Sequence, residues 1–105
     1  MVEVVKEVLS YGERVGEYGR CKITKDGREW IELYGIVWSM KPSEQVWNDL
    51  KKTAEEIEQK FNVKCLVAIT PAGHIPTVFL SLKDIGKRNQ ILRNIAPKQE
   101  ENKID

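Results

Sequence analysis

The sequence predicts an α+β fold: a two-layer domain with an antiparallel or mixed sheet of about four strands and helices on one face. Three patterns carry the prediction. Apolar residues recur every three or four positions along 46–61, which is typical of an amphipathic helix. They alternate with polar residues along 14–40 and 77–82, and form a continuous run at 65–69, as strands do. In chain order the predicted elements are α-β-β-α-β-β-α.

The first element, within residues 2–10, has two interpretations. Val5, Val8 and Leu9 fall on one helical stripe, which favours a short amphipathic helix ended by Gly12. The alternation of the earlier valines leaves a strand as the alternative. We favour the helix.

Residues 14–40 are predicted to form one β-hairpin that turns at Asp26 and Gly27. A two-residue loop would place Ile23 opposite Trp30 and merge the aromatic and aliphatic residues on one face. A three-residue loop, with Gly27 left-handed, would place Lys22 opposite Trp30. We favour the three-residue loop because it separates an aliphatic face from a face of aromatic and basic side chains.

The central helix, 46–61, has the clearest boundaries in the chain. Pro42 and Glu44 suit the first turn of a helix, and Asn62 suits its end. Its apolar stripe predicts that one side packs on the aliphatic face of the sheet, while charged residues line the other side.

The C-terminal part is predicted to contain two strands, within 65–69 and 77–82, and a last helix capped by Asp84. Residues 1–97 are expected to form a single domain. Residues 98–105 are polar and are expected to form a frayed tail.

Charge is unevenly distributed along the chain. The formal net charge is only +1, yet residues 14–28 carry +3 and residues 83–98 carry +4. Two such stretches can converge into one basic patch. The charged N-terminus and the absence of a long apolar run predict a cytoplasmic protein. A composition rich in Lys and Glu is compatible with a thermophilic source.

Residues able to carry catalysis are sparse. Cys21 and Cys65 lie in apolar strand patterns and are predicted to be buried free thiols. His74 is the single histidine and lies in a loop rich in Pro and Gly. Neither a nucleophile motif nor a glycine-rich phosphate loop is present. We therefore predict no enzymatic activity, no catalytic residue, no cofactor and no metal.

The three-residue loop gathers aromatic and basic side chains on one face of the hairpin, to which the strand at 77–82 adds one more ring. Bases of a single strand stack on aromatic rings, while Lys and Arg attract its phosphates. The pattern predicts binding of single-stranded nucleic acid. We call this set the aromatic-basic face; it comprises Arg14, Tyr18, Arg20, Lys22, Trp30, Tyr34, Trp38 and Phe79.

A different interpretation of the same residues carries equal weight. Aromatic residues in strands are usually core or interface, because they bury large areas. The face would then pack under a helix, or on a second copy of itself across a two-fold axis. In that case the chain is a homo-oligomeric interaction module.

The ladder of Trp30, Tyr34 and Trp38, followed by the helix at 46–61, resembles archaeal single-stranded-DNA-binding proteins of the ThermoDBP type and their shorter relatives. The resemblance spans about residues 10–95. It implies a basic cleft floored by aromatic residues, DNA as the ligand, and an archaeal, thermophilic source. The founding type has a long C-terminal zipper, which has no counterpart after Ala96, so its mode of dimerisation does not carry over to the homodimer expected here.

Overall fold

The computed structural model describes residues 1–33 and 43–94. It contains six strands, a long helix and a second helix that begins at residue 88. The elements are β1 (Glu3–Val8), β2 (Ser10–Arg14), β3 (Arg20–Ile23), β4 (Glu29–Glu32), α1 (Glu44–Phe61), β5 (Cys65–Thr70), β6 (Ile75–Ser81) and α2 (described over 88–94), with short 3₁₀ helices at Gly16–Tyr18 and Leu82–Lys87.

The strands form one mixed sheet in the order β1-β5-β6-β4-β3-β2. β1 is parallel to β5, and all other neighbours are antiparallel. β1 and β2 stand at opposite ends of this order, although Leu9 alone separates them in the chain. The sheet must therefore curl until its two ends approach one another.

The predicted α+β class is confirmed, but the sheet has six strands and not four. The prediction of an N-terminal helix is wrong, because residues 3–8 and 10–14 are both strands. Val4 pairs with Val67 of β5 across the parallel ladder. The alternation of Val2 and Val4 was the correct signal. Pairing with β5, a strand distant in the chain, outweighed the local helical stripe.

The predicted hairpin register is confirmed. Lys22 lies opposite Trp30, and Gly27 has a φ of +87°. The Thr24 N–H donates to the Arg28 carbonyl at 3.0 Å, and the Gly27 N–H donates to the Thr24 carbonyl at 2.9 Å. These bonds close a three-residue loop, in which a left-handed third residue lets the strands keep their twist.

One face of the sheet packs against the helices, as predicted. Ser43 caps α1 by accepting from the Val46 N–H, and Asn62 ends it in the left-handed conformation. This helix-side core contains Val2, Ile31, Leu33, Trp47, Leu50, Ala54, Ile57, Cys65, Val67, Val78, Leu80 and Ile91.

The other face closes on itself inside the curl and forms a second, smaller core. Leu9, Trp30, Leu66, Ala68 and Phe79 are buried there, with Val5 packed against them. Leu9, which joins β1 to β2, thus covers side chains of the central strands.

The start of the last helix differs from the prediction. Ser81, and not Asp84, is the capping residue, and its hydroxyl accepts from the Lys83 N–H. Asp84 has a non-helical backbone and instead accepts from the Lys64 N–H at 3.0 Å. The 3₁₀ helix between β6 and α2 shifts the cap three residues earlier. The predicted tail lies outside the described residues.

Within the described ranges, no helix combines the length and the apolar character needed to cross a membrane.

Candidate functional site

The aromatic-basic face does not form the open surface that was predicted. Trp30 is 2% exposed and Phe79 is 0% exposed. They do share a face, but the curl of the sheet encloses that face and Leu9 covers it. The prediction that these two rings are exposed is therefore wrong. Tyr34 and Trp38 lie outside the described residues.

Tyr18 is also placed elsewhere. It lies in the 3₁₀ helix Gly16–Tyr18, flanked by glycines with φ of +50° and +85° that break the strand. Its ring packs against the helix-side core, with the Arg88 guanidinium 5.5 Å from the ring centroid. Its predicted place beside the other rings is wrong, because the glycines turn the chain before β3 begins.

The basic members of the predicted face remain together at the rim of the sheet, and Tyr11 joins them. Tyr11 lies opposite Lys22 in the β2–β3 ladder, and Arg14 lies opposite Arg20. Tyr11 is 44% exposed. We call Tyr11, Arg14, Arg20 and Lys22 the rim patch. Sequence reasoning missed Tyr11 because its segment was taken as the end of a helix; the strand interpretation would have paired it with β3.

Two cations of the rim patch surround the tyrosine ring. The Arg20 guanidinium is 4.7 Å from the Tyr11 ring centroid, and the Lys22 ammonium is 5.5 Å from it. Both distances suit cation–π attraction. The patch therefore presents an aromatic ring and two charges as one unit.

The hydrogen bonds of these cations go to main-chain oxygens. Arg20 Nε donates to the Gly12 carbonyl at 3.0 Å, and Lys22 Nζ donates to the Arg20 carbonyl at 2.9 Å. Among the described residues, no carboxylate lies within 4 Å of Arg14, Arg20 or Lys22. In the part of the chain that the structure describes, the charges of Arg20 and Lys22 are thus held in place without an ion-pair partner.

A shallow groove of about 710 Å³ runs beside the rim patch. Its lining includes Tyr11, Arg14 and Arg20. Two carboxylates, Glu13 and Glu29, line the same groove and oppose an anion.

Arg28, at the hairpin turn, is in contrast fully engaged with carboxylates. It bonds Asp26 at 2.8 Å and Glu3 of β1 at 3.0 Å, which ties the turn to the first strand. The bond from Arg28 and a second bond from Thr24 lower the pKa of Asp26 to about 2. Bonds to Asp26 and Glu3 raise the pKa of Arg28.

A second concavity, of about 510 Å³, lies on the other side of the hairpin turn. We call it the turn cavity. It brings together Arg28 of the first basic stretch and Lys83 of the second. Its lining is Gly27, Arg28, Glu29, Trp30, Lys64, Ser81, Leu82, Lys83 and Asp84.

The two cysteines are buried and free, as predicted. Burial, reinforced by the charges of Glu58 and Asp84, raises the pKa of the Cys65 thiol to about 12. Burial and the nearby Glu29 raise the pKa of Cys21. Both thiols therefore stay protonated near neutral pH, where a protonated thiol is a poor nucleophile.

His74 is exposed in the turn before β6. Within the described part of the chain, no three His, Cys, Asp or Glu side chains are grouped as a metal site requires.

No family model, curated protein or solved structure matches this chain. Its functional assignment therefore rests on the geometry of the rim patch and the turn cavity.

Proposed function

We propose that this chain is a non-enzymatic protein that binds single-stranded nucleic acid through the rim patch. The observation that supports the proposal is the exposed Tyr11 ring with the cations of Arg20 and Lys22 beside it. A base can stack on the exposed part of the ring or on the guanidinium plane, while the cations attract the phosphates.

A single strand suits this patch better than a duplex. Tyr11 must reach the flat face of a base, and those faces are covered in a duplex. Stacking depends little on base identity, so we expect weak sequence preference. The resemblance to ThermoDBP-type proteins points to DNA over RNA and stays a prediction.

The path of the strand follows from the charges around the patch. Glu13 and Glu29 line the groove and repel phosphate. Arg14 and Arg20 lie opposite each other across the ladder and line the same groove. We propose that the sugar-phosphate backbone runs along the arginines, with a base directed toward Tyr11.

The test is an anisotropy titration of a labelled single strand of about 12 nucleotides against the wild-type chain and its variants. Tyr11→Ala is expected to weaken binding by about 1–3 kcal/mol, the value of one stacked base. Tyr11→Phe keeps the ring and should bind like wild type. Lys22→Gln is expected to lower the salt slope by roughly 0.7, because one phosphate contact is lost.

Lys52→Gln is the matched control, because Lys52 is exposed on α1, away from the rim patch. It changes the net charge as Lys22→Gln does but should leave both affinity and salt slope unaltered. The proposal fails if wild type shows no preference for single over double strands, or if both lysine variants behave alike.

The second candidate function is that of a homo-oligomeric interaction module. Its interface would lie at a different surface from the aromatic-basic face. Trp30 and Phe79 are buried within one chain, so they are not free for a partner. β2 is a sheet edge with one neighbour, and unpaired edge groups can pair with another strand. Sedimentation over a range of protein concentrations tests this candidate; a monomer at all concentrations would remove it.

A further inference from the structure

We infer that the turn cavity binds the phosphorylated terminal nucleotide of a single strand. The inference rests on the proposed function, whose rim patch holds the body of the strand. The cavity, at about 510 Å³, lies within the size range of small-ligand sites.

Two hydrogen bonds of the Lys64 main chain hold one side of the cavity together. The Lys64 N–H donates to the Asp84 carboxylate at 3.0 Å, and the Ser81 N–H donates to the Lys64 carbonyl at 2.9 Å. They fix the start of β5 against the end of β6. Lys64 and Lys83 therefore line the same cavity from two different segments.

Both lysine side chains are available for a ligand. They are exposed, and within the described residues neither ammonium has a carboxylate within 4 Å or a hydrogen-bond acceptor. A terminal phosphomonoester carries about −1.5 to −2 charges at neutral pH, whereas an internal phosphodiester carries one. Two ammonium groups in one cavity match the terminal group better than an internal one, against the carboxylates of Glu29 and Asp84 that also line it.

The remaining lining suits the base and sugar. Trp30 and Leu82 supply apolar surface, and Glu29 can accept from an amino or hydroxyl group. Arg28 cannot swing freely, because Glu3 and Asp26 hold it beside the Trp30 ring, 5.5 Å from its centroid. Its charge is compensated by those two carboxylates, so it bounds the cavity without adding a free positive charge.

An unpaired donor lies at the same place. The Trp30 Nε1–H is buried and has no acceptor in the part of the chain that the structure describes. Buried donors of this kind usually have a protein or water partner. The donor is closed to solvent, so it marks Trp30 as a cavity-lining residue with an unmet hydrogen bond and not as an open contact for the ligand.

The cavity also adjoins the proposed path of the strand. Glu29 lines both the groove beside the rim patch and the turn cavity. A strand on the rim patch would reach the cavity by passing this carboxylate, with its phosphates turned toward Arg14 and Arg20 and its last nucleotide in the cavity.

The experiment compares oligonucleotides of one sequence, about 12 nucleotides long, that carry a phosphate or a hydroxyl at one end. Both 5′ and 3′ phosphates are tried, at one fixed salt concentration. We expect one phosphorylated end to bind about tenfold more tightly, as one charge-assisted hydrogen bond would give. The double variant Lys64→Gln/Lys83→Gln should abolish that difference and leave the affinity of the hydroxyl form within about twofold.

Lys51→Gln/Lys52→Gln, on α1, is the matched double control and should retain the tenfold difference. A titration with a free nucleoside monophosphate is followed through the Trp30 indole N–H resonance. It distinguishes a site for a free nucleotide from a site for the last nucleotide of a strand. If it shifts that resonance while neither oligonucleotide binds, the cavity is a mononucleotide site, the terminal-nucleotide inference is overturned and so is the proposed function. If the phosphorylated and the hydroxyl oligonucleotides bind equally, the inference is overturned and the proposed function survives.

Discussion

Lys22 lies directly opposite Trp30 in the β3–β4 ladder, yet the two side chains have different surroundings. Lys22 reaches the rim, where its ammonium lies beside Tyr11. Trp30 is buried under the segment that joins β1 to β2. One face of the sheet thus changes from core to partly exposed surface between two adjacent strands.

Trp30 should act as a core residue. Trp30→Ala is expected to lower the free energy of unfolding by about 3–5 kcal/mol, because it leaves a cavity in the core inside the curl. Urea denaturation followed by circular dichroism measures the change. Trp30→Phe should cost less, since it keeps most of the buried area. An unchanged urea midpoint for the alanine variant would show that the ring is not core.

Gly12 should tolerate no side chain. A Cβ at this position would lie 2.5 Å from Cys21 Sγ and 2.8 Å from Ile23 Cδ1. Gly12→Ala is therefore expected to cost about 1–3 kcal/mol of unfolding free energy through overpacking. Gly86→Ala is the control, because nothing lies within 4 Å of its Cβ position. Equal thermal melting of the two variants would contradict the close approach of β2 and β3.

The ionised Asp26 at the hairpin turn should stabilise the fold, and this stabilisation should be lost in acid. The pKa of Asp26 is lowered to about 2 from an ordinary value of 3.8. Its ionised form is thus favoured by folding, so the stabilisation is complete above about pH 4 and is lost as the pH falls through 2. Asp26→Asn should remove it. Urea unfolding of both proteins from pH 5 to pH 2 should show curves that converge in acid; a constant separation would refute the assignment.

The two thiols should react slowly in the folded chain. Cys21 and Cys65 are each 1% exposed, and both pKa values are raised. A thiol reagent at pH 8 is expected to label them on the order of a thousandfold more slowly than in urea, because labelling requires opening. Lys52→Cys introduces an exposed thiol that should react at once. Rapid labelling of either native cysteine would show that it is accessible.

Local chemistry in the sequence was sufficient for two elements. The period of the apolar residues, with Glu44 in the first turn and Asn62 at the end, defined α1. The Asp26-Gly27 turn, together with the separation of the two faces, set the register that places Lys22 opposite Trp30. Both outcomes depend on residues close together in the chain, so a single sequence contains the information.

The tertiary structure decided which face is open. The parallel pairing of β1 with β5 curls the sheet and brings Leu9 over Trp30 and Phe79. The glycines before β3 move Tyr18 to the helix-side core, and the strand character of residues 10–14 brings Tyr11 to the rim. Alternation along a strand fixes which side chains share a face, but burial depends on what a distant segment places over that face.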